Sequence, residues 1–549
     1  MRILYKTILF SSFIILTISI AIFAQIVYTP PGSYVYDFLE RLSLKNIIEY
    51  HDEVKPVSRK KIGELLEQAL LRKEELNLSE LKELDWLSEE YAYEIKKARP
   101  APREPGLDTL KERWYLYNYS DSLFSLKISP LAGYGISAVG NNSGHTRWAG
   151  VNLFMTHSNW FGGSFYLKDH GEFGDDVDKE RNFSPLPGAA YKPAPDGMEI
   201  SDIRGGMTFN WNWGAISLMK DNVIWGHGKF GQLILSEKAP PFAFIRLDLN
   251  FTGWLRFHYI HGWLNSLVYD SSSFSYNHLE SIHPFLRMDY INKYIAANFL
   301  SISVTPKIDL SVGNSIIYSG KLRPEFFIPF LFFKSYDNRG VDYNVEDGNK
   351  QLYFDAAVRL PKTFTFYGTL FIDCIEIRKL LKHDRRGTDF GFTLGGKKID
   401  FFVPMLDMIV EYTKVNPWVY EHKDETTTYK HLNYYLGDWL GQNADQFRVQ
   451  FDYRPLRGLQ LTAYTEYIRK GRLLDIYYNY YDQIAEPFLQ SPVRRESRFS
   501  FEASYEFIHD LFVDGYYTYS NVTDQDPKRT PAFMLGKKSS FGITVQYGL

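Results

Sequence analysis

The chain has 549 residues, with 62 Lys+Arg against 65 Asp+Glu and a net charge of -3, which excludes a nucleic-acid binder held by phosphate contacts and a disordered acidic chain. A single Cys and ordinary contents of Gly (39) and Pro (25) exclude a disulfide scaffold and a low-complexity chain. Aromatic residues reach 17% while mean hydropathy is only -0.28, a combination that excludes a bundle of membrane helices and still admits a membrane barrel.

At the N-terminus, Arg2 and Lys6 precede an apolar stretch from Ile8 to Ile20, and Ala21-Ile22-Phe23-Ala24 reads as a cleavage site. Residues 1–24 are therefore an expected signal peptide and Gln25 the new first residue. The apolar stretch is short for a membrane span, and no Cys follows to carry a lipid. In an exported protein the lone Cys374 has no intramolecular disulfide partner.

Residues 25–99 read as a helical module on the periplasmic side. Phe38, Leu39, Leu42, Ile47 and Ile48 mark a first helix, Ser58 caps a second carrying Ile62, Leu65, Leu66, Ala69 and Leu70, and Ser79 caps a third carrying Leu84, Leu87, Tyr91 and Ile95. A linker over 100–122 follows, since the run Arg99 to Gly106, RPAPREPG, cannot continue a helix.

Residues 123–549 change to a period of two. Phe447, Val449, Phe451 and Tyr453 alternate with Gln446, Arg448, Gln450 and Asp452; Leu352, Phe354, Ala356, Val358 and Leu360 oppose Gln351, Tyr353, Asp355 and Arg359. The same rhythm closes the chain from Phe541 to Leu549. Tight turns at Thr305-Pro306-Lys307, Pro361-Lys362, Pro455 to Gly458 and His509-Asp510 are separated by long loops at Gly171 to Ile200, Asn416 to Ala444, Gly471 to Arg495 and Asn521 to Gly536. Short turns on one rim and long loops on the other predict a mainly β fold, a transmembrane antiparallel barrel of about 18 strands with both ends in the periplasm. Arg323 to Lys334, RPEFFIPFLFFK, lacks clean alternation and is expected as a lumenal plug or an extra hairpin.

The polar faces carry Arg204, Arg246, Asp248, Asp355, Arg359, Arg448, Asp452, Arg454, Glu466, Glu502 and Glu506, all expected to point into the lumen. Two readings stay open there: paired charges that cross and obstruct the lumen, or a wet pore with scattered charges.

The stretch Trp225 to Leu247, WGHGKFGQLILSEKAPPFAFIRL, is the most distinctive in the chain. Gly226, Gly228 and Gly231 make a flexible lead after Trp225, Leu233-Ile234-Leu235 a short apolar piece before Ser236, and Pro240-Pro241 a stiff exit; no helix follows, so it is no phosphate loop. It resembles the signature segment of the capsule assembly Wzi family, as do Tyr36-Asp37-Phe38-Leu39-Glu40-Arg41-Leu42 and Pro56-Val57-Ser58-Arg59 in the helical module. The resemblance implies an outer-membrane barrel with a periplasmic helical bundle that holds capsular polysaccharide at the surface of a Gram-negative-type bacterium. The implied partners are surface polysaccharide and outer-membrane lipid, with no nucleic acid. The module also resembles one surface-layer-homology repeat, which implies contact with cell wall or export machinery, against a plain plug or platform.

For glycan contact the candidates are Trp418, Tyr420, Tyr429, Tyr434, Tyr435 and Trp439 with Lys423, Lys430 and His431, and then Tyr477, Tyr478, Tyr480 and Tyr481. Aromatic faces stack on sugar C–H surfaces and cations suit acidic units, although rim aromatics also form the girdle of any barrel. No catalytic motif, cofactor or metal site is expected. His258 and His261 project to opposite faces of one strand, and Asp342 to Gly348 reads as an acidic turn rather than a calcium loop. A porin for sugars or small solutes is the alternative function, with a Ser-His-acid hydrolase third.

Overall fold

The computed structural model describes residues 27–95, 113–121, 123–158, 160–277, 285–335, 348–360, 363–375, 388–473 and 487–548. The expected signal peptide, most of the linker, the turn Pro361-Lys362, the acidic run Asp342 to Asp347 and the tyrosines Tyr477, Tyr478, Tyr480 and Tyr481 lie outside them.

Three helices form the N-terminal module: α1 Val35–Leu44, α2 Arg59–Leu71 and α3 Leu78–Glu90. Ser58 caps α2 as expected, its Oγ accepting the Lys61 N–H at 3.2 Å. The start of α3 differs from expectation. Asn77, not Ser79, is the cap: its Oδ1 accepts the Glu80 N–H at 2.9 Å while Glu80 Oε2 accepts the Asn77 N–H at 3.0 Å. Glu80 can return that bond, whereas a cap at Ser79 would place Lys82 at the reciprocal position. Ile47 and Ile48 fall beyond α1 but still pack with Leu39, Leu42, Ile62, Leu66 and Leu84 in the module's core.

Eighteen antiparallel strands close into a barrel. They are β1 Phe124–Val139, β2 Asn142–His157, β3 Phe161–Gly174, β4 Gly197–Trp211, β5 Gly214–Asp221, β6 Phe242–Thr252, β7 Leu255–Tyr269, β8 Tyr290–Thr305 and β9 Ile308–Ser319. The second half comprises β10 Asn349–Leu360, β11 Phe364–Ile375, β12 Thr388–Lys398, β13 Leu406–Val415, β14 Ala444–Leu456, β15 Leu459–Lys470, β16 Arg494–Ile508, β17 Leu511–Asp524 and β18 Gly536–Tyr547. Closure is between β18 and β1, Tyr547 opposite Ala132 and Ser540 opposite Val139. One rim carries the short connections 212–213, 253–254, 306–307, 457–458 and 509–510; the other carries 175–196, 222–241, 416–443 and 525–535. No helix among the described residues is long and apolar enough to cross a membrane.

Cross-strand register fixes the faces. Asp248 lies opposite His258, and Asp248 Oδ1 sits 2.6 Å from His258 Nδ1 inside the barrel, so even positions of β6 and β7 face the lumen and odd positions face out. His258 and His261 therefore do lie on opposite faces. Arg204, Asp355, Arg359, Arg448 and the other charges expected in the lumen all fall on inward positions.

The segment Arg323–Lys334 is neither a lumenal plug nor a hairpin. After a short 3₁₀ turn at Pro324–Phe327 it lies against the outer wall: Phe327 stacks on His261 at 3.9 Å and Phe330 on Phe257 at 4.3 Å, both on outward positions of β7.

The helical module closes the short-turn rim. Fully buried Arg41 donates to Glu80 at 2.7 Å, to Asp407 on β13 at 2.7 Å and to Asp400. Trp86 stacks on His509 at 3.5 Å and its Nε1 donates to Glu506 at 3.0 Å; Glu83 accepts the Gly458 N–H at 3.2 Å. Arg59 and Arg113 both donate to Glu90, at 3.0 and 3.1 Å, and Arg113 reaches Asp510 at 2.6 Å.

Removing Arg41 leaves Glu80 and Asp400 to Lys45 alone and Asp407 to Lys397 at 3.9 Å, so Arg41→Met should cost about 3 kcal/mol, the low end for breaking a buried pair. The expected outcome in detergent is proteolysis of residues 27–95 at a lower temperature while the barrel keeps its heat-modifiable gel mobility; an unshifted proteolysis temperature refutes it. Burial pushes the Glu90 carboxyl up, but Arg113 and Arg59 outweigh it and hold the group at about 2. A depressed carboxylate stabilises the fold above its unfolded pKa and loses that stabilisation as pH falls. The docked module should thus loosen between about pH 4.5 and 2, and Glu90→Gln should flatten that part of the profile measured by Trp86 fluorescence.

Candidate functional site

The lumen is filled from both ends. From the helical module, the chain over Tyr50–Lys55 enters the barrel, where Val54–Lys55 pairs antiparallel with Ile224–Trp225 of the β5–β6 loop. The Gly226 N–H donates to the Glu53 carbonyl at 2.8 Å, and Gly226 holds a φ of +106°, which a side chain would strain. The distinctive stretch read from sequence is thus the loop that turns inward to meet the module.

A charge cluster locks this meeting point. Lys229 Nζ donates to Glu40 at 2.9 Å and Asp52 at 3.1 Å, and Lys397 Nζ from β12 reaches the other Glu40 oxygen at 2.9 Å. Arg359 donates to Asp52 at 3.1 Å, and the His227 ring lies between Asp355 and Asp52. Glu411 accepts the backbone N–H groups of Lys229 and Phe230 at 2.7 and 3.1 Å and the Tyr367 hydroxyl at 2.8 Å. Burial drives the Asp52 carboxyl up, yet Lys229 and His227 hold it well below the carboxylate range. Burial disfavours charge on His227, but Asp355 and Asp52 raise it well above an ordinary imidazole. The cluster is balanced in sign, as buried charges must be.

Above it the plug is apolar. Trp225 stacks on Phe299 at 5.3 Å, and Leu233, Ile234 and Leu235 are fully buried. Their carbonyls are met by the β13–β14 loop: Tyr420 OH donates to Leu233 O at 2.7 Å, Tyr429 OH to Ile234 O at 2.8 Å, and Trp439 Nε1 to Phe230 O at 3.1 Å. Ser236 Oγ donates to Gly437 O at 2.6 Å, Gly228 and Pro240 are buried, and Pro241 leads into β6. The β3–β4 loop lies across the plug, with Lys238 Nζ donating to the carbonyls of Arg181, Ser184 and Leu186 at 2.7 to 3.0 Å.

This placement corrects the aromatic glycan surface expected over 416–444. Tyr420 and Tyr429 are wholly buried, Tyr434 and Trp439 nearly so, and Tyr435 is tied to Glu421 at 2.8 Å; Trp418 and Lys423 are half-buried. The Tyr420 and Tyr429 hydroxyls and the Trp439 indole satisfy carbonyls of the inward loop, so these three rings are not offered to a ligand.

What stays solvent-accessible is the other half of the lumen, along β1–β3 and β14–β18. Tyr516 is 39% exposed there, and rings carry cations beside them, Lys168 over Trp148 at 4.3 Å and Arg204 over Tyr166 at 5.8 Å, while Tyr464 is buried beneath Arg448 at 3.6 Å. Sequence reasoning passed over these rings. The available signal was an aromatic on a polar strand face, Tyr464 between Thr462 and Glu466 and Tyr516 between Asp514 and Thr518.

Two clusters with chemical potential resolve otherwise. Ligand atoms of His51, Glu53 and Asp309 lie within 4.8 Å of one another, but Arg256 pairs with Glu53 at 2.8 Å and Arg359 with Asp309, so guanidinium groups already balance the carboxylates. Ser303 Oγ and Asp309 both approach the same nitrogen of His51, Nδ1, at 3.4 and 3.1 Å; a Ser-His-acid relay needs opposite nitrogens.

Comparison with known proteins agrees with this architecture. The structure is similar to that of Escherichia coli Wzi, an outer-membrane protein involved in group 1 capsule assembly and described as a carbohydrate-binding β-barrel: the TM-score is 0.56 at 14% identity, covering 96% of this chain and 100% of that one. Weaker likeness is found to Pseudomonas aeruginosa OprD (TM-score 0.40, 11% identity, 78% and 95% covered) and to Acinetobacter baumannii OccAB1 (0.41, 11%, 80% and 97%). No curated protein matches. The family model for capsule assembly protein Wzi matches residues 138–532, from the top of β1 to the last long loop, and the chain belongs to that outer-membrane barrel family.

Proposed function

We propose that this protein binds and holds surface polysaccharide at the outer membrane and neither transports solutes nor catalyses a reaction. The observation that supports the reading is the occupied lumen: the helical module docks on the short-turn rim and a charge-locked loop fills one side, beside an aromatic-lined chamber. Membership of the capsule assembly family, and the carbohydrate binding named for the E. coli protein of the same fold, support the ligand class.

Within that chamber, the ring faces of Trp148 and Tyr516 suit sugar C–H surfaces, while Lys168, Arg448 and Arg498 suit carboxylate or pyruvate groups. The glycan contact surface expected on the 416–444 loop is thus relocated to the lumen wall. The helical module faces the periplasm, where cell wall or export machinery are the partners to test.

In planar bilayers the wild-type protein should conduct almost nothing. Tyr420→Ala with Tyr429→Ala strips the two hydroxyls that seat the inward loop and should produce discrete current steps; large steady currents from the wild type would instead establish a pore. Trp148→Ala and Tyr516→Ala should each weaken binding of capsular polysaccharide by about fivefold, taking ~1 kcal/mol per stacked ring, in a pulldown with detergent-solubilised protein. Unchanged capture by the double variant moves the binding surface elsewhere.

A further inference from the structure

The outer wall of β7–β9 carries polar side chains where lipid belongs. By register, the outward positions are Tyr259 and His261 on β7, Asn298 on β8 and Asn314 on β9. Exposed on a bare barrel wall, amides and an imidazole would sit unpaired in hydrocarbon. Here all four are covered, His261 completely.

Tyr259, Asn298 and Asn314 find backbone partners in Arg323–Lys334, and His261 lies between the Tyr259 and Tyr318 hydroxyls at 3.2 and 3.0 Å. Asn298 Nδ2 donates to the carbonyls of Pro329 and Leu331 at 3.0 and 2.8 Å, and Asn314 Oδ1 accepts the Phe333 N–H at 2.8 Å. Tyr259 OH donates to the Phe326 carbonyl at 2.6 Å, and Asn314 Nδ2 donates to Asn298 Oδ1 at 2.7 Å, so the amides brace each other. Irregular backbone is tolerated at membrane depth only where protein satisfies it, and the polar track does so.

Composition and depth fix what lies beyond. From Phe326 to Phe333 no residue is charged, whereas Lys321, Arg323, Glu325 and Lys334 sit at the two ends. Phe330 stacks on Phe257 and lies 6.5 Å from Phe251, and those two residues flank the short turn at Gly253-Trp254; Phe326 packs on Tyr318 near the opposite rim. The segment therefore descends the wall to Phe330, turns at Pro329-Phe330 and comes back, with Phe333 packing on Phe326 at 5.8 Å. Its outward side chains Ile328, Phe330 and Phe332 are 53%, 61% and 51% exposed and continue the layer of the lipid-facing Leu310, Val312 and Phe354 on the adjoining strands.

We propose that Arg323–Lys334 is a membrane-embedded strap: the wall's polar track holds its backbone, and Ile328, Phe330 and Phe332 face the acyl chains of the surrounding lipid. The inference stands on register and hydrogen bonding and is independent of the polysaccharide reading.

The test uses the full-length protein with Cys374→Ser, reconstituted in phosphatidylcholine vesicles and carrying a nitroxide at Phe330→Cys or, as reference, at Phe354→Cys on the uncovered wall. At both sites collision with oxygen should exceed collision with a water-soluble nickel chelate several-fold. A nickel excess at position 330 overturns the proposal by placing the strap in water. Low collision with both reagents, together with spin–spin broadening between labels, overturns it by placing a second copy there. Asn298→Ala with Asn314→Ala supplies a second arm: external protease should cut within 323–334 in the variant and not in the parent, with heat-modifiable mobility confirming that the barrel is formed. Cutting in the parent as readily as in the variant counts against a docked strap.

Discussion

Hydrocarbon offers no hydrogen-bond partner, so each backbone amide at membrane depth has to find one inside the protein. Barrel closure is the first answer to that requirement, and its seam shows the requirement at work. Strand β18 covers β1 only from Ala132 upward, and the short strand Tyr117–Ser120 pairs with Ser125–Ile128 below, extending the ladder along the same edge. The same demand explains the wall segment over β7–β9, where side-chain amides stand in for a neighbouring strand. It also explains the plug, where tyrosine hydroxyls cap the carbonyls of a loop that has left the sheet.

Inside, the governing physics is charge. Glu40, Asp52, Asp355 and Glu411 meet Lys229, Lys397, Arg359 and His227 at the junction of two chain segments that are remote in sequence. Such pairs contribute little net stability over apolar packing, but a mispaired arrangement strands a buried charge. The cluster thereby favours one seating of the inward loop over its near neighbours. Around it the lumen divides into a dry half, built on Trp225, Phe299 and Leu233–Leu235, and a wet half lined by ringed cations.

Much of this was legible in the sequence. The period of two survives from β1 to β18 because each strand has one apolar and one polar face, and turn lengths sort the two rims. Ser58 announced α2, and the stretch from Trp225 to Pro241 announced a shaped loop. Two features were not legible, for one shared reason. Tyr420 and Tyr429 read as ligand contacts, and Phe326 to Phe333 as a plug or hairpin, since composition cannot say which carbonyl a hydroxyl meets or which side of a wall an apolar run lies on. The signal for the second was present but small: Asn298 and Asn314 on faces otherwise written Tyr294, Ala296, Leu300 and Ile316, Val312, Leu310.

The docking of the helical module has a temporal meaning. Its rim anchors Asp400 and Asp407, Gly458 and Glu506, and Asp510 lie in the C-terminal half of the chain, while Val54–Lys55 pairs with Ile224–Trp225 and Glu53 meets Arg256 in the N-terminal half. The module can thus meet its inner partners early, while the half of the rim that finally holds it is laid down with the last strands. Contacts of such long sequence separation form late, because the chain between them must first be ordered. The stopper is fully seated only once the cylinder exists, so the nascent barrel passes through a loosely corked stage during insertion.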